Sequence, residues 1–353
     1  MKTAYLSHDG LLQVYRCPIL KLIIHTTIVL MMSIKMTNNK TYQSDILGVG
    51  YEQLTLHYPN DFEGKVIATL VRKKAEKNTQ KAVLYIHGFL DYFFQTEMAE
   101  KFNQHGYDFY ALDLRKYGRS HLPHQKFYNL RNIQEYYAEI TDALEIIGNE
   151  GHDHVLLAGH STGGLTSTLY VAHHPNHPLI KALWCNSPFY DFNMPVWKKK
   201  LALPRLSALG KKFPNLRFPS ELSKWYGVSI HKDFEGEWDF NLEWKKPNYP
   251  LVYISFVHAI FEAQKEIHRG VKISVPTLVM RSHQTKNPKK FNIDAQTSDV
   301  ILDVKDILKY ANKIQGPVTV MTIQNGLHDL VLSAPPVRAE VYEKLFHWLN
   351  NNI

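Results

Sequence analysis

Hydrophobic and polar positions follow two different periods along the chain, and segments of the two kinds alternate. Residues 51–58 (YEQLTLHY) and 65–73 (KVIATLVRK) have the period of two that is typical of half-buried strands, and PNDFEG between them predicts a hairpin. Beyond residue 80, short apolar runs such as KAVLYIHG (81–88) and HVLLAG (154–159) alternate with amphipathic stretches such as LRNIQEYYAEITDALEIIGNEG (130–151). Because short strands separated by helices are typical of parallel sheets with crossovers, the pattern predicts a mostly parallel, doubly wound α/β domain.

The alternation is interrupted once, between residues 191 and 270. This segment is rich in Trp, Phe, Pro and Lys, and YISFVHAIFEAQKEIHRG (253–270) within it has a helical pattern that suits either core packing or the lining of a pocket. The alternation resumes with VPTLVMRS (275–282), and the chain ends in a helix predicted from about Ala339. We therefore predict one core domain in two parts with an inserted helical lid: core 37–190, lid 191–270 and core 271–353.

Residues 1–36 fit neither pattern. PILKLIIHTTIVLMMSI (18–34) is apolar but is interrupted by Lys21 and His25. Its uninterrupted part is shorter than the roughly 20 residues of a membrane-spanning helix, and no small-residue cleavage site of a signal peptide follows. The segment is compatible with a weak membrane anchor, an additional docked segment, or residues upstream of a start at Met36. We favour the last, because an ordinary polar stretch follows Met36.

The composition narrows the class of protein. A hydrophobic fraction of 44% and a charged fraction of 21% are typical of a soluble globular protein. The aromatic fraction of 12% is sufficient for both a large core and an apolar pocket. The two cysteines, Cys17 and Cys185, exclude a disulfide framework, so a reducing cytoplasm is the expected compartment.

The chain has a formal net charge of +8. The Lys and Arg residues are scattered, as on a solvated surface, and the tightest cluster is KKK at 198–200. Weak association with an anionic membrane surface is the alternative. No zinc-finger, helicase or phosphate-loop motif supports nucleic acid as a partner. The pattern does not indicate an oligomeric state.

The chemistry is expected at AGHSTGG (158–164), which directly follows the apolar strand HVLLAG and directly precedes a helical stretch. A sharp strand–turn–helix connection exposes a serine at the edge of a sheet, but it strains the backbone of that serine and brings its neighbours against other backbone. Glycine at these neighbouring positions removes the Cβ atoms that would collide. Ser161 is therefore the predicted nucleophile, and Gly159 and Gly163 are the residues that make room for it.

Several stretches in fixed order resemble the α/β-hydrolase superfamily and, within it, the monoacylglycerol lipase and lysophospholipase-like group. The resemblance runs from about residue 50 to the end of the chain. It rests on YIHGFLDYF (85–93), LDLRKYGRS (112–120), AGHSTGG (158–164), SDVILD (298–303) and GLHDLVL (326–332). Lys116 departs from the pattern, because such proteins often have Gly in this turn; we expect a shifted loop and unchanged chemistry.

A serine hydroxyl is a poor nucleophile unless a base removes its proton, and a third group must orient that base. The superfamily order is Ser, acid, His. His328 is the predicted base, because it follows the last strand in a loop before the final helix, and Asp299 is the predicted acid, because it lies in the segment that matches the acid loop. Asp303, Asp294 and Asp191 are alternatives, although Asp303 is better suited to begin the following helix.

The resemblance also implies an oxyanion hole, formed by two backbone N–H groups. Thr162, directly after the nucleophile, supplies one, and Phe89, in the loop after the IHG strand, supplies the other. His87 and Gly88 shape that loop, and we do not expect His87 to act as a second base.

Two histidine clusters could in principle bind a metal. HDH (152–154) and HHPNH (173–177) lack the spacing of a hydrolytic zinc motif, so we predict that both lie in surface loops. We expect neither a metal nor another cofactor.

These features together predict a serine hydrolase that cleaves carboxylic esters through an acyl-enzyme. The aromatic insertion indicates a substrate with an acyl chain, such as monoacylglycerol or lysophospholipid. A peptidase of the same fold that acts on short peptides is one alternative, supported by the acidic stretch DFEGEWDF (233–240). A ligand-binding protein of this fold without catalysis is the other.

Overall fold

The computed structural model describes residues 41–220 and 222–353. The interpretations of residues 1–36, and the first four residues of the predicted core, lie outside these residues. Among the helices in the described part, none has both the length and the apolar character that crossing a bilayer requires.

The described residues form one nine-stranded sheet and a separate two-stranded ribbon. The sheet order is β1-β2-β3-β5-β4-β6-β7-β10-β11, and β8 pairs with β9 in the ribbon. The strands are β1 (Gln43–Ser44), β2 (Tyr51–Asp61), β3 (Gly64–Lys73), β4 (Lys81–Ile86), β5 (Asp108–Asp113), β6 (His154–His160), β7 (Ile180–Asn186), β8 (Arg217–Phe218), β9 (Val252–Tyr253), β10 (Thr277–Ser282) and β11 (Val318–Ile323).

The sheet is antiparallel at one side and parallel elsewhere. β1, β2, β3 and β5 pair antiparallel, whereas every pairing from β5 through β4, β6, β7 and β10 to β11 is parallel. The central strands are buried, as expected for a parallel sheet covered on both faces. The mostly parallel α/β sheet predicted from the sequence is confirmed, and all its parallel strands end at the same edge.

Helices connect these strands. They are α1 (Thr96–Gln104), α2 (Tyr137–Asn149), α3 (Thr162–His173), α4 (Leu203–Lys212), α5 (Trp225–Ile230), α6 (Ile254–Arg269), α7 (Asp294–Thr297), α8 (Val304–Ala311) and α9 (Pro335–Asn352).

Two helix boundaries differ from the prediction. The last helix begins at Pro335, not near Ala339. A proline in the first turn costs no hydrogen bond, because the N–H that it lacks would have no partner inside the helix. The stretch 130–151 begins as a loop and a 3₁₀ turn (Ile133–Tyr136) whose first turn is closed by a capping box of Asn132 and Glu135, and α2 starts only at Tyr137.

Lys116 occupies the turn after β5 with φ = 66°, a conformation that glycine adopts more easily. Its side chain is buried, and its ammonium group lies 2.7 Å from Asp61 and 2.9 Å from Glu63, both at the β2–β3 turn. It also donates to the carbonyl of Asn129 at 2.9 Å. A lysine in this strained position therefore ties the hairpin to the loop after β5, a contact that a glycine could not make.

The segment between β7 and β10 contains α4, α5, the β8–β9 ribbon and α6. Its inner side is held by polar as well as apolar contacts. The indole N–H of Trp238 donates to the carbonyl of Leu332 at 3.0 Å, and the hydroxyl of Tyr92 accepts from the N–H of Asn241 at 2.7 Å. These bonds fix residues 238–241 against the loops that follow β4 and β11.

Candidate active site

Ser161 lies in the connection between β6 and α3. Its backbone has φ = 52° and ψ = −114°, a strained combination for a residue other than glycine. A Cβ on Gly159 would collide with the backbone of Gly163, and a Cβ on Gly163 would collide with the carbonyl of Ile86. The two glycines therefore remove the collisions that the sharp turn would otherwise cause.

Three residues that are remote in sequence meet at this turn. Nε2 of His328 lies 3.0 Å from Oγ of Ser161, and Nδ1 of His328 lies 2.9 Å from Oδ2 of Asp299. The other oxygen of Asp299 accepts the N–H groups of Ile301 and Leu302, each at 2.8 Å. With the proton on Nδ1, His328 donates to Asp299 and presents a lone pair to the hydroxyl of Ser161. We call Ser161, His328 and Asp299 the Ser161 centre.

The other candidate acids have different partners. Asp303 caps α8 by accepting the N–H of Lys305 at 2.9 Å, as its place before that helix suggested. Asp191 accepts from the ammonium of Lys199 at 2.7 Å. Asp294 is the first residue of α7, the short helix that precedes Asp299 in the chain. Among the three, none has a hydrogen bond to His328 in the described part of the chain.

The two residues expected to form the oxyanion hole belong to two segments that meet near Ser161. Thr162 is the first residue of α3, so its N–H is among those without an acceptor inside the helix. The loop after β4 passes directly beside Ser161, since a Cβ on Gly88 would lie 3.2 Å from Cβ of Ser161. Phe89 follows Gly88 in that loop.

His87 is turned away from Ser161. Its Nδ1 donates to the carbonyl of Gly88 at 2.7 Å, and its Nε2 accepts the N–H of Leu114 at 3.1 Å. Burial lowers the pKa of His87, which keeps the ring neutral and able to serve as donor and acceptor at once. The ring therefore joins the loop after β4 to the loop after β5.

A second buried group lies next to the Ser161 centre and was not predicted from the sequence. Ligand atoms of Asp91, His160 and Asp329 lie within 4.8 Å of one another, and the ammonium of Lys245 lies 2.8 Å from Oδ1 of Asp91. We call these four residues the Lys245 cluster. The sequence held a signal for three of them, because Asp91 lies in the same loop as Gly88, His160 precedes Ser161 and Asp329 follows His328. No motif pointed to Lys245.

The charges in the Lys245 cluster are shaped by burial. Burial lowers the pKa of His160 to about 4, so the ring is neutral near pH 7. Burial alone would raise the pKa of Asp91, but the ammonium of Lys245, which is hydrogen-bonded to it, outweighs burial, and the pKa lies below its usual range. Asp329 accepts hydrogen bonds from Asn186 at 2.7 Å and Gln95 at 3.2 Å.

The two histidine clusters lie in different surroundings. His173 and His177 lie at the surface, but the prediction of a surface loop was wrong for His152, which is buried against Asp108 and the hydroxyl of Tyr110. The buried polar partners of His152 come from β5, which the local sequence did not indicate. In the described part of the chain, the group of His and acidic residues that could hold a cation is Asp91, His160 and Asp329, and there Lys245 supplies the positive charge.

Aromatic residues of the segment between β7 and β10 contact both sides of the Ser161 centre. The ring of Tyr226 lies edge-on to His328, with centroids 5.4 Å apart. Phe256 stacks on Phe89 at 4.5 Å, and Tyr128 meets Phe89 edge-on at 4.7 Å. Ser161 is only 7% exposed. The side chain of Ser161 is therefore screened from bulk water by apolar, aromatic neighbours.

Solved structures with a similar fold include three lipases and esterases. A soluble variant of the Saccharomyces cerevisiae monoglyceride lipase, solved with a substrate analogue, is 15% identical, with a TM-score of 0.62, over 88% of this chain and 98% of that one. The Paleococcus ferrophilus monoacylglycerol lipase is 19% identical, with a TM-score of 0.57, over 79% and 98%. The esterase Est1E of Butyrivibrio proteoclasticus, solved with ferulic acid, is 16% identical, with a TM-score of 0.52, over 84% and 98%.

No curated protein sequence matches the chain. A family model does: that of the serine aminopeptidases, S33, matches residues 77–286, which is more than half of the chain. This range contains the loop after β4, the turn with Ser161 and the whole segment between β7 and β10. The chain therefore belongs to the serine aminopeptidase S33 family, a family of hydrolases with the α/β-hydrolase fold.

Proposed function

We propose that this protein is a serine hydrolase that cleaves carboxylic esters of a lipid-like substrate, monoacylglycerol or lysophospholipid, through a covalent acyl-enzyme. The observation that carries the proposal is the pair of contacts of His328, 3.0 Å to Oγ of Ser161 and 2.9 Å to Asp299. A hydroxyl, an imidazole and a carboxylate in this order form the arrangement that activates a serine for acyl transfer.

In the proposed reaction, Oγ of Ser161 attacks the ester carbonyl while its proton passes to Nε2 of His328. Asp299 holds the ring in the tautomer with the proton on Nδ1 and stabilises the imidazolium that forms. The N–H groups of Phe89 and Thr162 hold the negative oxygen of the tetrahedral intermediate. His328 then gives its proton to the leaving alcohol, and a water molecule, deprotonated by the same ring, releases the acid.

The surround of the site supports an acyl chain as part of the substrate. Phe89 carries one of the proposed oxyanion donors, and its ring lies against Phe256 and Tyr128. We propose that the segment 191–270 is a lid, since Tyr226 and Phe256 belong to it and the nucleophile is almost fully covered. An apolar cover near the scissile bond favours long acyl groups over polar ones.

The acidic stretch that favoured a peptidase has other partners. Asp239 pairs with Lys232 at 2.6 Å, Glu237 pairs with Arg338, and all acidic side chains of residues 233–240 are exposed. Asp91 is a buried carboxylate in the loop after β4, and it already accepts a hydrogen bond from the ammonium of Lys245. Asp239 and Glu237 are thus paired with other residues, and within the described residues no hydrogen bond or ion pair joins an acidic side chain of this stretch to Ser161, His328 or Asp299, so we favour the ester substrate.

The test uses a fluorophosphonate probe and a panel of substrates with the full chain. We expect covalent labelling at Ser161 and hydrolysis of monooleoylglycerol or oleoyl-lysophosphatidylcholine in preference to aminoacyl p-nitroanilides. Ser161→Ala should abolish labelling and lower turnover by about 10⁴–10⁶-fold, the range seen when a serine nucleophile is removed. Ser167→Ala, which changes a buried serine on the same helix α3, is the matched control and should retain activity.

The outcomes separate the alternatives. Labelling with faster cleavage of the amides would indicate a peptidase. Absence of labelling in a folded protein would indicate a binding protein without catalysis, and undiminished ester hydrolysis by Ser161→Ala would remove Ser161 from the reaction.

A further inference from the structure

The outer face of the segment between Phe192 and Ser220 is unusually apolar. Half of the large apolar side chains that are exposed in the described part of the chain belong to this stretch. They are Val196, Trp197, Leu201, Leu209, Phe213 and Leu216. Exposed apolar side chains concentrated in one segment mark a surface that contacts something other than water.

Three of these side chains, Trp197, Leu201 and Leu209, are spaced in multiples of four along one helical element, and Phe213 directly follows it. A π-helical turn (Lys198–Ala202) leads directly into α4 (Leu203–Lys212). Residues four apart lie on the same face of a helix. The outward face is formed by Trp197, Leu201, Arg205, Leu209 and Phe213. Trp197 is 60% and Leu201 55% exposed, so the indole and the leucine project from the surface.

The opposite side of α4 is fixed to the molecule. Oγ of Ser207 lies 2.8 Å from Nδ1 of His258 on α6, and Gly210 passes so close to the carbonyl of Ile254 that a Cβ there would collide with it. The inner face of α4 is therefore packed against α6, and this packing leaves its apolar outer face exposed to solvent.

The charge of this stretch is of one sign. Every charged residue between Phe192 and Ser220 is basic: Lys198, Lys199, Lys200, Arg205, Lys211, Lys212 and Arg217. Lys199 pairs with Asp191 and Asp306. Lys200, Lys211 and Lys212 are exposed, and within the described residues no carboxylate lies in ion-pair distance of them. Nearly all of the chain's net charge of +8 is thus contributed by one segment.

Exposed Trp, Leu and Phe side chains flanked by Lys and Arg are the composition of helices that lie in the interface of a bilayer with anionic lipids. Self-association through this face would bring two sets of basic residues together and is disfavoured by their repulsion. We propose that residues 192–220 are a membrane-docking face that binds bilayers containing anionic phospholipids. Trp197, Leu201 and Phe213 enter the headgroup region, and Lys200, Lys211 and Lys212 bind the lipid phosphates.

The docking face lies one helix away from the proposed oxyanion loop. α4 packs on α6, and Phe256 of α6 stacks on Phe89. If the proposed function is correct, docking therefore brings the cover of Ser161 next to the membrane that holds the substrate. The docking itself does not depend on Ser161, and its test needs no turnover.

The test measures co-sedimentation of the full chain with vesicles of phosphatidylcholine alone and with about a third phosphatidylserine. We expect strong binding only to the anionic vesicles. The triple variant Lys200→Glu, Lys211→Glu and Lys212→Glu should weaken this binding on the order of a hundredfold, and added salt should weaken it for the unaltered protein. The triple variant Trp197→Ser, Leu201→Ser and Phe213→Ser should weaken it about tenfold or more.

A matched control changes three exposed lysines elsewhere by the same total charge: Lys65→Glu, Lys77→Glu and Lys305→Glu. It should lose far less affinity than the docking-face variant. Melting temperature and hydrolysis of a water-soluble short-chain ester serve as folding controls and should be unchanged in all variants. Equal loss in the matched control, or undiminished binding in both docking-face variants, would overturn the proposal. A dimer that only the apolar variant dissociates, with vesicle binding intact, would also overturn it and identify the face as a contact between copies of the chain.

Discussion

Two buried histidines lie side by side in this molecule, with ring centroids 4.8 Å apart: His328 in the Ser161 centre and His160 in the Lys245 cluster. Both rings have carboxylates nearby. The two nitrogens of His328 face one acid and one hydroxyl, at 2.9 and 3.0 Å. Nδ1 of His160 instead faces the carbonyl of Asn186 at 3.2 Å, and Asp91 and Asp329 lie on its other side.

The difference shows why residue types alone do not identify a catalytic group. A general base must lie between the hydroxyl that it deprotonates and the group that orients it. His328 meets this condition, whereas His160 is held neutral by burial among charges that Lys245 balances. The Ser161 centre has the geometry that the proposed proton transfer needs, whereas the ion pair of Lys245 and Asp91 joins the proposed lid to the loop after β4.

The largest expected effect separates the two clusters by activity. If the proposed mechanism holds, Asp299→Asn should lower kcat by about 10⁴-fold, because the amide favours the wrong tautomer of His328, as the matching substitution does in a serine protease triad. Asp329→Asn, the matched change in the neighbouring cluster, should lower kcat by less than about tenfold, because Asp329 bonds to Asn186 and Gln95 and not to His328. Steady-state kinetics on a soluble ester would measure both. Equal losses would mean that the two clusters act as one catalytic unit.

The second effect concerns stability. Lys245→Met should lower the free energy of unfolding by about 3–5 kcal/mol, because it leaves the buried carboxylate of Asp91 without its cation. Adding Asp91→Asn should restore most of that loss. Lys246→Met is the control, because the side chain of Lys246 is exposed although it is next to Lys245 in sequence. It should change the free energy of unfolding by less than about 0.5 kcal/mol. Urea denaturation would measure these changes, and a small loss in Lys245→Met would show that water reaches Asp91.

The smallest effect is a pH dependence assigned to His160. Its unfolded pKa is near 6.5 and its folded pKa about 4, so between these values the unfolded chain binds a proton that the folded chain does not. The stability from the neutral ring is complete above pH 6.5 and is lost as the pH falls toward 4. Between pH 7.5 and 4.5, this one residue should account for roughly 2–3 kcal/mol of the lost free energy of unfolding.

The comparison that isolates this contribution uses His160→Asn, whose unfolding free energy should fall less steeply over the same pH range. His57→Asn, at an exposed histidine, should leave the slope unchanged. Parallel slopes for the unaltered protein and His160→Asn would show that His160 is already protonated in the folded state.

The Ser161 turn could be predicted from the sequence because its requirements are local. A strand, a strained residue and a helix in direct succession need glycine at particular places, and these glycines are visible in AGHSTGG. The parallel sheet could be predicted for a similar reason, since hydrophobic periodicity reports burial on one or two faces. The order of the motifs then suggested His328 and Asp299 before any distance was known.

Lys245 and Lys116 could not be recognised in this way. Each is a buried lysine whose partners, Asp91 in one case and Asp61 and Glu63 in the other, are distant in sequence. A lone lysine in a polar stretch is usually solvated, so its local sequence predicts exposure. His152 was wrongly placed at the surface for the same reason, because its partner Asp108 comes from another strand.

The sequence by itself determined the alternation of strands and helices, the strained turn at Ser161 and the basic, apolar composition of residues 192–220, because each depends on the chemistry of neighbouring residues. Only the tertiary structure decided which carboxylate is hydrogen-bonded to His328, which histidine remains neutral beside it, and which side of α4 faces outward. Those outcomes depend on distances of a few ångströms between segments that chain folding, and not chain order, brings together.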